Sequence, residues 1–360
     1  MSILVLSASD VERVTREISA TALCEMVGAA MSVVSTPTVD PMDVQNPQRI
    51  ATESASHHTL YMPARLTTPS QGPATSVKIV SSPKPGHDGQ GLPATTLLLD
   101  ESTGRVRAIV NASDLTGLRT AAASALASKI LANPNSRRLV VFGSGTQAMC
   151  HALLILQLFP SIESVQFVVR SRASRSAVLL EASFRSHSEI MRVETSLILT
   201  SEGPEAVRHA DIICCCVPST APLFSTIDLK PGVHINAIGS YKPTMFEFPP
   251  ALISPDSLGS SERIPTILVD SKEACLHEAG ELIASGITAD KLIEIGSLCD
   301  ESGSLRTDHE PTRVALKRLK GSPEAKSLFK CVGVGAMDVA ITRAIVEKAV
   351  ERRYGHEVAF

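Results

Sequence analysis

The chain has 360 residues, of which 44% are hydrophobic and 20% charged, and its formal net charge is -3 at pH 7. That length allows two domains with separate cores, and the even charge balance offers neither the basic stripe that nucleic acid demands nor a polybasic patch for an anionic membrane. Aromatics make up 3% with no tryptophan, which sets base-stacking platforms aside as well.

The chain opens on an apolar strand over residues 3–6. Ser9-Asp10 then marks a helix start, and Val11, Val14, Ile18, Ala22 and Met26 share one face of a single predicted helix. This opening has no cationic leader, and no apolar run approaches the ~20 residues of a bilayer span. A soluble, cytoplasmic protein without membrane contact is expected. Residues 37–93 change texture to short strands between Pro, Gly and Ser turns. Strands are predicted over 59–62, 76–80 and 95–99 with a turn over 100–104, an antiparallel α+β block.

After Thr116-Gly117 the Ala-rich stretch LRTAAASALASKILA predicts a helix that stops before Asn133-Pro134. Then strands over 139–142, 165–169, 211–217, 234–238 and 266–269 alternate with helices from Thr146 and Ala173. That alternation predicts a parallel, doubly wound sheet. Residues 327–351 read as one long helix, and residues 257–263 and 302–311 as exposed loops. The eight cysteines form no CxxC pair, and three of them, Cys214, Cys215 and Cys216, are consecutive in an apolar run. Buried free thiols are expected, with neither a disulfide framework nor a metal site.

The sharpest local motif is RRLVVFGSGTQA, residues 137–148. An apolar strand runs into Gly143-Ser144-Gly145-Thr146-Gln147-Ala148, and an apolar helix follows, the GxGxxA form of a dinucleotide fingerprint. Gly143 permits the tight turn, Gly145 lets a pyrophosphate approach the backbone, and Ala148 keeps helix and strand close. The helix N-terminus adds unpaired N–H groups and partial positive charge. The next strand ends in Arg170-Ser171-Arg172, where an NAD-selective site carries an acid for the ribose 2′-hydroxyl. Two guanidinium groups suit a 2′-phosphate instead, so NADPH is favoured, with NADH the less favoured alternative. Two solvated surface arginines would read the same in sequence.

Three stretches, LTGLRTAAASALASKILA (115–132), GSGTQA, and KPGVHINAIGSYKPTMFEF (230–248), together resemble the ornithine cyclodeaminase/mu-crystallin family. Val269-Asp270-Ser271, Glu278-Ala279-Gly280 and SLFKCVGVGAMD (327–338) support the match, which runs in order from about Asn46 to Asp338. The resemblance implies an α/β protein, a Rossmann-type doubly wound parallel sheet inserted in an α+β domain. Residues 1–118 plus 330–360 would form the substrate-binding and dimerisation domain, and 119–329 the dinucleotide domain, in a homodimer. It implies chemistry on a small imino or amino acid. Further cofactor contacts are implied at Thr95, Arg119, Thr120, Val217, Ile238, Gly239, Ser240 and Val332, beside Gly143, Gly145, Thr146, Gln147, Arg170, Ser171 and Arg172.

The resemblance also makes Arg49 a carboxylate-binding arginine and Lys78 a substrate-contacting strand lysine. By themselves, an arginine in NPQRIA and a lysine alternating with Val77 and Ile79 fit solvent-facing positions equally. Where cyclodeaminases carry an aspartate two residues after the glycine of the NAIG segment, this chain has Tyr241. A phenol of ordinary pKa ~10 is a poor base at neutral pH, which argues against hydrolytic loss of ammonia. Imine reduction needs only a hydride and a proton, and Lys78, Tyr241 and bound water all remain open as its source. Glu247 is expected either at the site or as a helix cap, Asp338 as an acid ordering a nicotinamide loop, and Cys331 as no nucleophile. His57-His58 and His234 lack ligand spacing. The function expected is NADPH-dependent reduction of a cyclic or N-substituted α-ketimine carboxylate. The alternatives are an amino-acid or opine-type dehydrogenase, a cyclodeaminase, and a catalytically idle NADPH-dependent small-ligand binder.

Overall fold

The computed structural model describes residues 2–36, 40–84, 91–254, 264, 266–322 and 324–359, with 186–190 described by backbone alone. Contacts divide the chain into two units. One comprises Met1–Arg119, Cys299–Ser304 and Gly333–Phe360, the other Thr120–Leu298 and Leu305–Val332. The expected boundaries therefore need correction at three places. Arg119 and Cys299–Ser304 belong with the first unit, and residues 330–332 with the second. Gly303 explains the middle segment: at φ +84 it packs so closely that a Cβ would lie 1.8 Å from the Glu25 carbonyl oxygen.

The strands of the first unit are β1 (Ser2–Leu6), β2 (Val44–Gln45), β3 (Ile50–Glu53), β4 (His57–Thr68), β5 (Gly72–Pro83), β6 (Ala94–Leu99), β7 (Val106–Asn111) and the C-terminal strand His356–Ala359. Their sheet order is His356–Ala359, β1, β7, β6, β5, β4, β2, with β3 also on β4. β1 and β7 run parallel, and the other pairs antiparallel. Alternation of period two splits the residues of β4–β6 between faces. Met62, Ala64, Leu66, Ala74, Ser76, Lys78, Val80, Thr96 and Leu98 are buried. The C-terminal helix Gly335–Arg352 packs on β4 and β5 and against the helix Ala20–Val34.

The single helix expected near the N-terminus is two, α1 (Ala8–Thr15) and α2 (Ala20–Val34), bent by 102°. Each has its own serine cap. Ser7 forms a capping box with Asp10, and Ser19 accepts from the Ala22 N–H, so the shared apolar periodicity is interrupted by a fresh start. Among the described residues no single helix is long and apolar enough to cross a membrane.

The second unit holds β8 (Arg138–Phe142), β9 (Ser164–Val169), β10 (Glu194–Leu199), β11 (Ile212–Cys215), β12 (His234–Ala237), β13 (Ile267–Val269), β14 (Leu292–Glu294) and β15 (Ser327–Lys330). The order is β10-β9-β8-β11-β12-β15-β13-β14, parallel throughout. This is the doubly wound sheet, with β8 at the point where strand order reverses and ligands bind beyond the carboxyl ends. The predicted terminal helix over 327–351 is corrected to β15 followed by the helix Gly335–Arg352. Ser327, Leu328, Phe329 and Lys330 are all buried between β12 and β13, and a short all-buried strand has no periodicity to betray it. Of the two expected loops, residues 257–263 lie outside the described residues. Residues 302–311 are mostly exposed, but their last two open the helix Glu310–Lys320.

Candidate active site

In the first unit, α3 (Ser113–Leu131) places Arg119, β5 places Lys78, and the C-terminal helix places Asp338. Asp338 Oδ1 accepts from Lys78 Nζ at 2.9 Å and from Arg119 Nε at 3.2 Å, and Lys78 Nζ lies 2.8 Å from Oδ2. All three side chains are almost wholly buried. Asp338 is thus the shared ion-pair partner of two cations. Gly335 and Asn46 seat the helix for this purpose. A Cβ on Gly335 would come within 2.9 Å of the Ala64 Cβ, and Asn46 Oδ1 accepts from the Ala336 N–H at 3.1 Å. Gly333, at φ +86, leaves room for the arginine, since a Cβ there would sit 2.5 Å from an Arg119 Nη.

Burial pulls the Lys78 ammonium pKa down to about 8, with Asp338 opposing and the positive charges of Arg119 and Arg49 assisting. Burial pushes the Asp338 carboxyl up, but Arg119 and Lys78 outweigh it and hold the group below the usual carboxylate range. One carboxylate therefore faces two buried cations, and the half-buried Arg49, just before β3, adds a third positive charge. Cationic groups gathered in a desolvated place suit a small anion. Thr95 is not on this face: it pairs with Ile79, whereas Thr96 is the direct cross-strand neighbour of Lys78 and is buried with it.

In the second unit, β8 runs into Gly143 at φ +119, where a Cβ would approach Val217 Cγ1 to 3.0 Å and the Cys216 carbonyl oxygen to 3.2 Å. Gly145 is the N-cap of α4 (Thr146–Leu158) and supplies no side-chain cap. A Cβ on Gly145 would meet nothing within 4 Å, so the space before the helix N-terminus is open. Open space and uncapped N–H groups fit the pyrophosphate of a dinucleotide. Arg170, Ser171 and Arg172 are exposed at the end of β9, the Arg172 guanidinium held 3.0 Å from Glu202 Oε2.

The loops following β11 and β12 meet at Glu247. Its Oε2 accepts from the Gly239 N–H at 2.7 Å and the Ser240 N–H at 3.1 Å, and its Oε1 from the Val217 N–H at 3.3 Å. Glu247 is therefore not a helix cap but a tie between two strand ends. Glu281 accepts from the Ser240 hydroxyl at 2.7 Å and from the Glu247 N–H. Lys330 Nζ lies 3.7 Å from Glu247 Oε2, with both groups fully buried. Burial pushes the Glu247 carboxyl up to about 8, Lys330 opposing and Glu281 assisting.

Asp270 does the same work for β13 and β15. It accepts from the N–H of Ser271 at 2.9 Å and of Val332 at 3.1 Å, and from the Cys275 and Cys331 thiols at 3.3 and 3.2 Å. Sequence reading missed Glu281, Asp270 and Lys330 as parts of the site. The half-buried Tyr241 follows the clamped turn, with Lys242 Nζ 5.9 Å from its ring centroid. The Ile238 N–H donates to the Cys215 carbonyl. Thr120 is buried on α3, and Thr146 and Gln147 open α4. Among the described residues no group of three or more His, Cys, Asp or Glu side chains is gathered for a metal.

The model of the ornithine cyclodeaminase/mu-crystallin family matches residues 4–353. A Delta(1)-pyrroline-2-carboxylate reductase of Bacillus cereus is 31% identical over 266 residues, 73% of this chain and 73% of that protein. Ketimine reductase mu-crystallin of Mus musculus is 30% identical over 267 residues, 73% of this chain and 72% of that protein. The structure of Thermococcus litoralis Delta(1)-pyrroline-2-carboxylate reductase in complex with NADH and L-proline superposes with a TM-score of 0.77 at 24% identity, covering 99% of this chain and 100% of that one. With a family model spanning nearly its full length and relatives at 30% identity or more over most of it, the chain belongs to the ornithine cyclodeaminase/mu-crystallin family.

Proposed function

We propose that the protein is an NADPH-dependent reductase of cyclic or N-substituted α-ketimine carboxylates. The observation that carries this reading is the buried Lys78–Asp338–Arg119 cluster, whose cationic groups, with Arg49 near them, suit the substrate carboxylate. Relatives at 30% identity or more that are named as imino-acid reductases support it. When bound, the reduced nicotinamide supplies a hydride to the imine carbon, and the nitrogen must be protonated for the C=N bond to become an amine. Lys78 holds a proton that Asp338 keeps in place, and Arg49 and Arg119 fix charge around the carboxylate. Tyr241, in place of an acid, leaves the second unit without a carboxylate at the position that would activate water.

Reduction of a panel of cyclic and N-methyl ketimine acids with NADPH, followed by absorbance loss, tests the reading. Robust ammonia release from ornithine with substoichiometric NAD would overturn it in favour of a cyclodeaminase. NADPH binding without turnover of any ketimine would leave a ligand binder.

Preference for NADPH over NADH rests on Arg170 and Arg172, with Glu202 fixing the Arg172 guanidinium. Charge-assisted hydrogen bonds of this kind are worth about 1.5–3 kcal/mol. Replacing both arginines by alanine is expected to raise the NADPH KM by roughly 10- to 150-fold, that energy expressed as a ratio, and to leave the NADH KM nearly unchanged. Equal weakening of both cofactors would remove these arginines from a 2′-phosphate site.

A homodimer belongs to the same proposal. On the sheet face opposite Lys78, the pairings place Pro63, Val77, Leu97, Ile109 and Val5 in one row across five strands, all half-exposed. A continuous apolar row of this kind suits a second copy of the chain. Leu97→Lys is expected to yield a monomer in sedimentation velocity while the parent sediments as a dimer. A monomeric parent would refute the assignment.

A further inference from the structure

The fully buried Glu247 is tied to backbone on two strand ends, which is unusual for a carboxylate so deep in a sheet domain. The N–H groups it holds belong to Val217, beyond β11, and to Gly239 and Ser240, beyond β12. These two strands lie on the opposite side of β8 from β9, where the Arg170–Arg172 segment sits. A dinucleotide spans the carboxyl ends of such a sheet, with one nucleotide on each half. The half that Glu247 organises is therefore the nicotinamide half. The packing there leaves no slack: a Cβ on Gly239 would lie 2.2 Å from the Val217 carbonyl oxygen and 2.6 Å from Glu247 Oε1, and one on Gly280 would lie 2.2 Å from the Met245 carbonyl oxygen. Glu281 fixes Glu247 in turn through its N–H and holds the Ser240 hydroxyl, and Lys330 Nζ, without a hydrogen-bond partner among the described residues, supplies positive charge 3.7 Å away.

We propose that Glu247 is a positioning residue for hydride transfer, holding the Val217 and Gly239–Ser240 backbone in the one arrangement that presents the nicotinamide, with Glu281 and Lys330 fixing the carboxylate itself. The proposal rests on the reductase reading for its kinetic consequence. Val217 borders the Gly143 turn, but the three N–H groups that Glu247 holds lie beyond β11 and β12 and not on the Gly143–Thr146 turn, so the clamp acts on the geometry of reaction more than on the grip on the cofactor. Misplacement of reacting atoms by about 1 Å costs on the order of 100-fold in rate.

Assayed above about pH 8, where Glu247 is ionised and both of its oxygens accept, Glu247→Gln keeps the shape but turns one accepting oxygen into a donor, leaving at least one clamped N–H facing another donor. It is expected to lower kcat for ketimine reduction by roughly 10- to 100-fold. The NADPH Kd, read by quenching of the dinucleotide fluorescence, should stay within about threefold, with one site per chain. A merely structural role would lower kcat only in step with the fraction of chains that still bind NADPH. Parental kcat in this variant, or a loss that tracks the bound fraction, would overturn the proposal. If Glu247→Gln does not fold, Ser240→Ala takes over the test, since it removes only the hydroxyl, which lies 2.7 Å from Glu281 Oε2 and 2.8 Å from the Met245 carbonyl oxygen. It is expected to fold with a lowered melting temperature, because the buried Glu281 carboxylate loses a donor, and to lower kcat per NADPH-bound chain at least about threefold, and parental kcat per bound chain would equally refute the clamp. If the parent reduces no ketimine, the reductase reading fails while the clamp is still read by hydrogen exchange. The Val217, Gly239 and Ser240 amides should exchange slowly in the parent and at least about tenfold faster in whichever variant folds, and equal rates would refute it.

Discussion

Replacing Lys78 by methionine is expected to lower kcat/KM for ketimine reduction by roughly 30- to 1000-fold, the consequence of losing about 2–4 kcal/mol of charge-assisted binding in a desolvated site. Methionine is close to lysine in length and volume, and Asp338 keeps its hydrogen bond from Arg119, so the fold should survive. Asp338→Asn is the harsher change. It removes the charge of the carboxylate that both Lys78 and Arg119 donate to, and loss of one partner of a buried pair costs about 3–5 kcal/mol of stability. Thermal melting separates the two variants, with Lys78→Met close to the parent and Asp338→Asn well below it.

The pH profile adds a sign. With its pKa pulled down to about 8, Lys78 is charged below that pH and neutral above it, so activity that needs the ammonium is flat on the acid side and declines as pH rises through about 8. Glu247 is also pushed up to about 8, and it loses a proton over the same range. The residual activity of Lys78→Met decides between them. A flat alkaline limb assigns the decline to Lys78, an unchanged limb assigns it elsewhere, and full turnover in this variant removes Lys78 from the site.

Local chemistry made the second unit readable. A strand, a GxGxxA turn and a helix follow one another directly from Arg138 to Leu158, and each element signals itself without reference to distant parts. The first unit was legible as an antiparallel block, but not which face of β5 turns inward. Val77-Lys78-Ile79 invites an assignment with the lysine in water, and the fold reverses it. Lys78 is buried because Asp338, 260 residues away, meets it, and Val77 and Ile79 are left half-exposed. Periodicity gives the alternation and says nothing of its phase when a charge is paired from afar. The Glu247–Glu281 tie spans 34 residues and the Gly303–Glu25 contact far more, so neither has a local signal. β15 is hidden in the sequence for a different reason: SLFK is too short and too uniformly buried to show period two.

Gly145→Ala is the substitution that separates a dinucleotide seat from an ordinary strand–helix turn. Gly145 has φ -89, a conformation open to any residue, and a Cβ there touches nothing within 4 Å. The melting temperature of the free protein should therefore stay close to that of the parent, because alanine adds neither strain nor a clash. The methyl group does enter the space before the N-terminus of α4, where a pyrophosphate must approach the backbone to reach the N–H groups. Losing two or more charge-assisted hydrogen bonds to backbone N–H should weaken NADPH binding by about 100-fold or more. Gly143→Ala provides the contrast. At φ +119, with Val217 Cγ1 only 3.0 Å from the new Cβ, it should destabilise the free protein by about 1–3 kcal/mol as well as weaken the cofactor. If the turn merely joins β8 to α4, Gly145→Ala binds NADPH as the parent does, and fluorescence titration at equal protein concentration shows it directly. Parental affinity in that variant would mean that the pyrophosphate is seated elsewhere, and the cofactor assignments at Gly143, Gly145 and Thr146 would fall together.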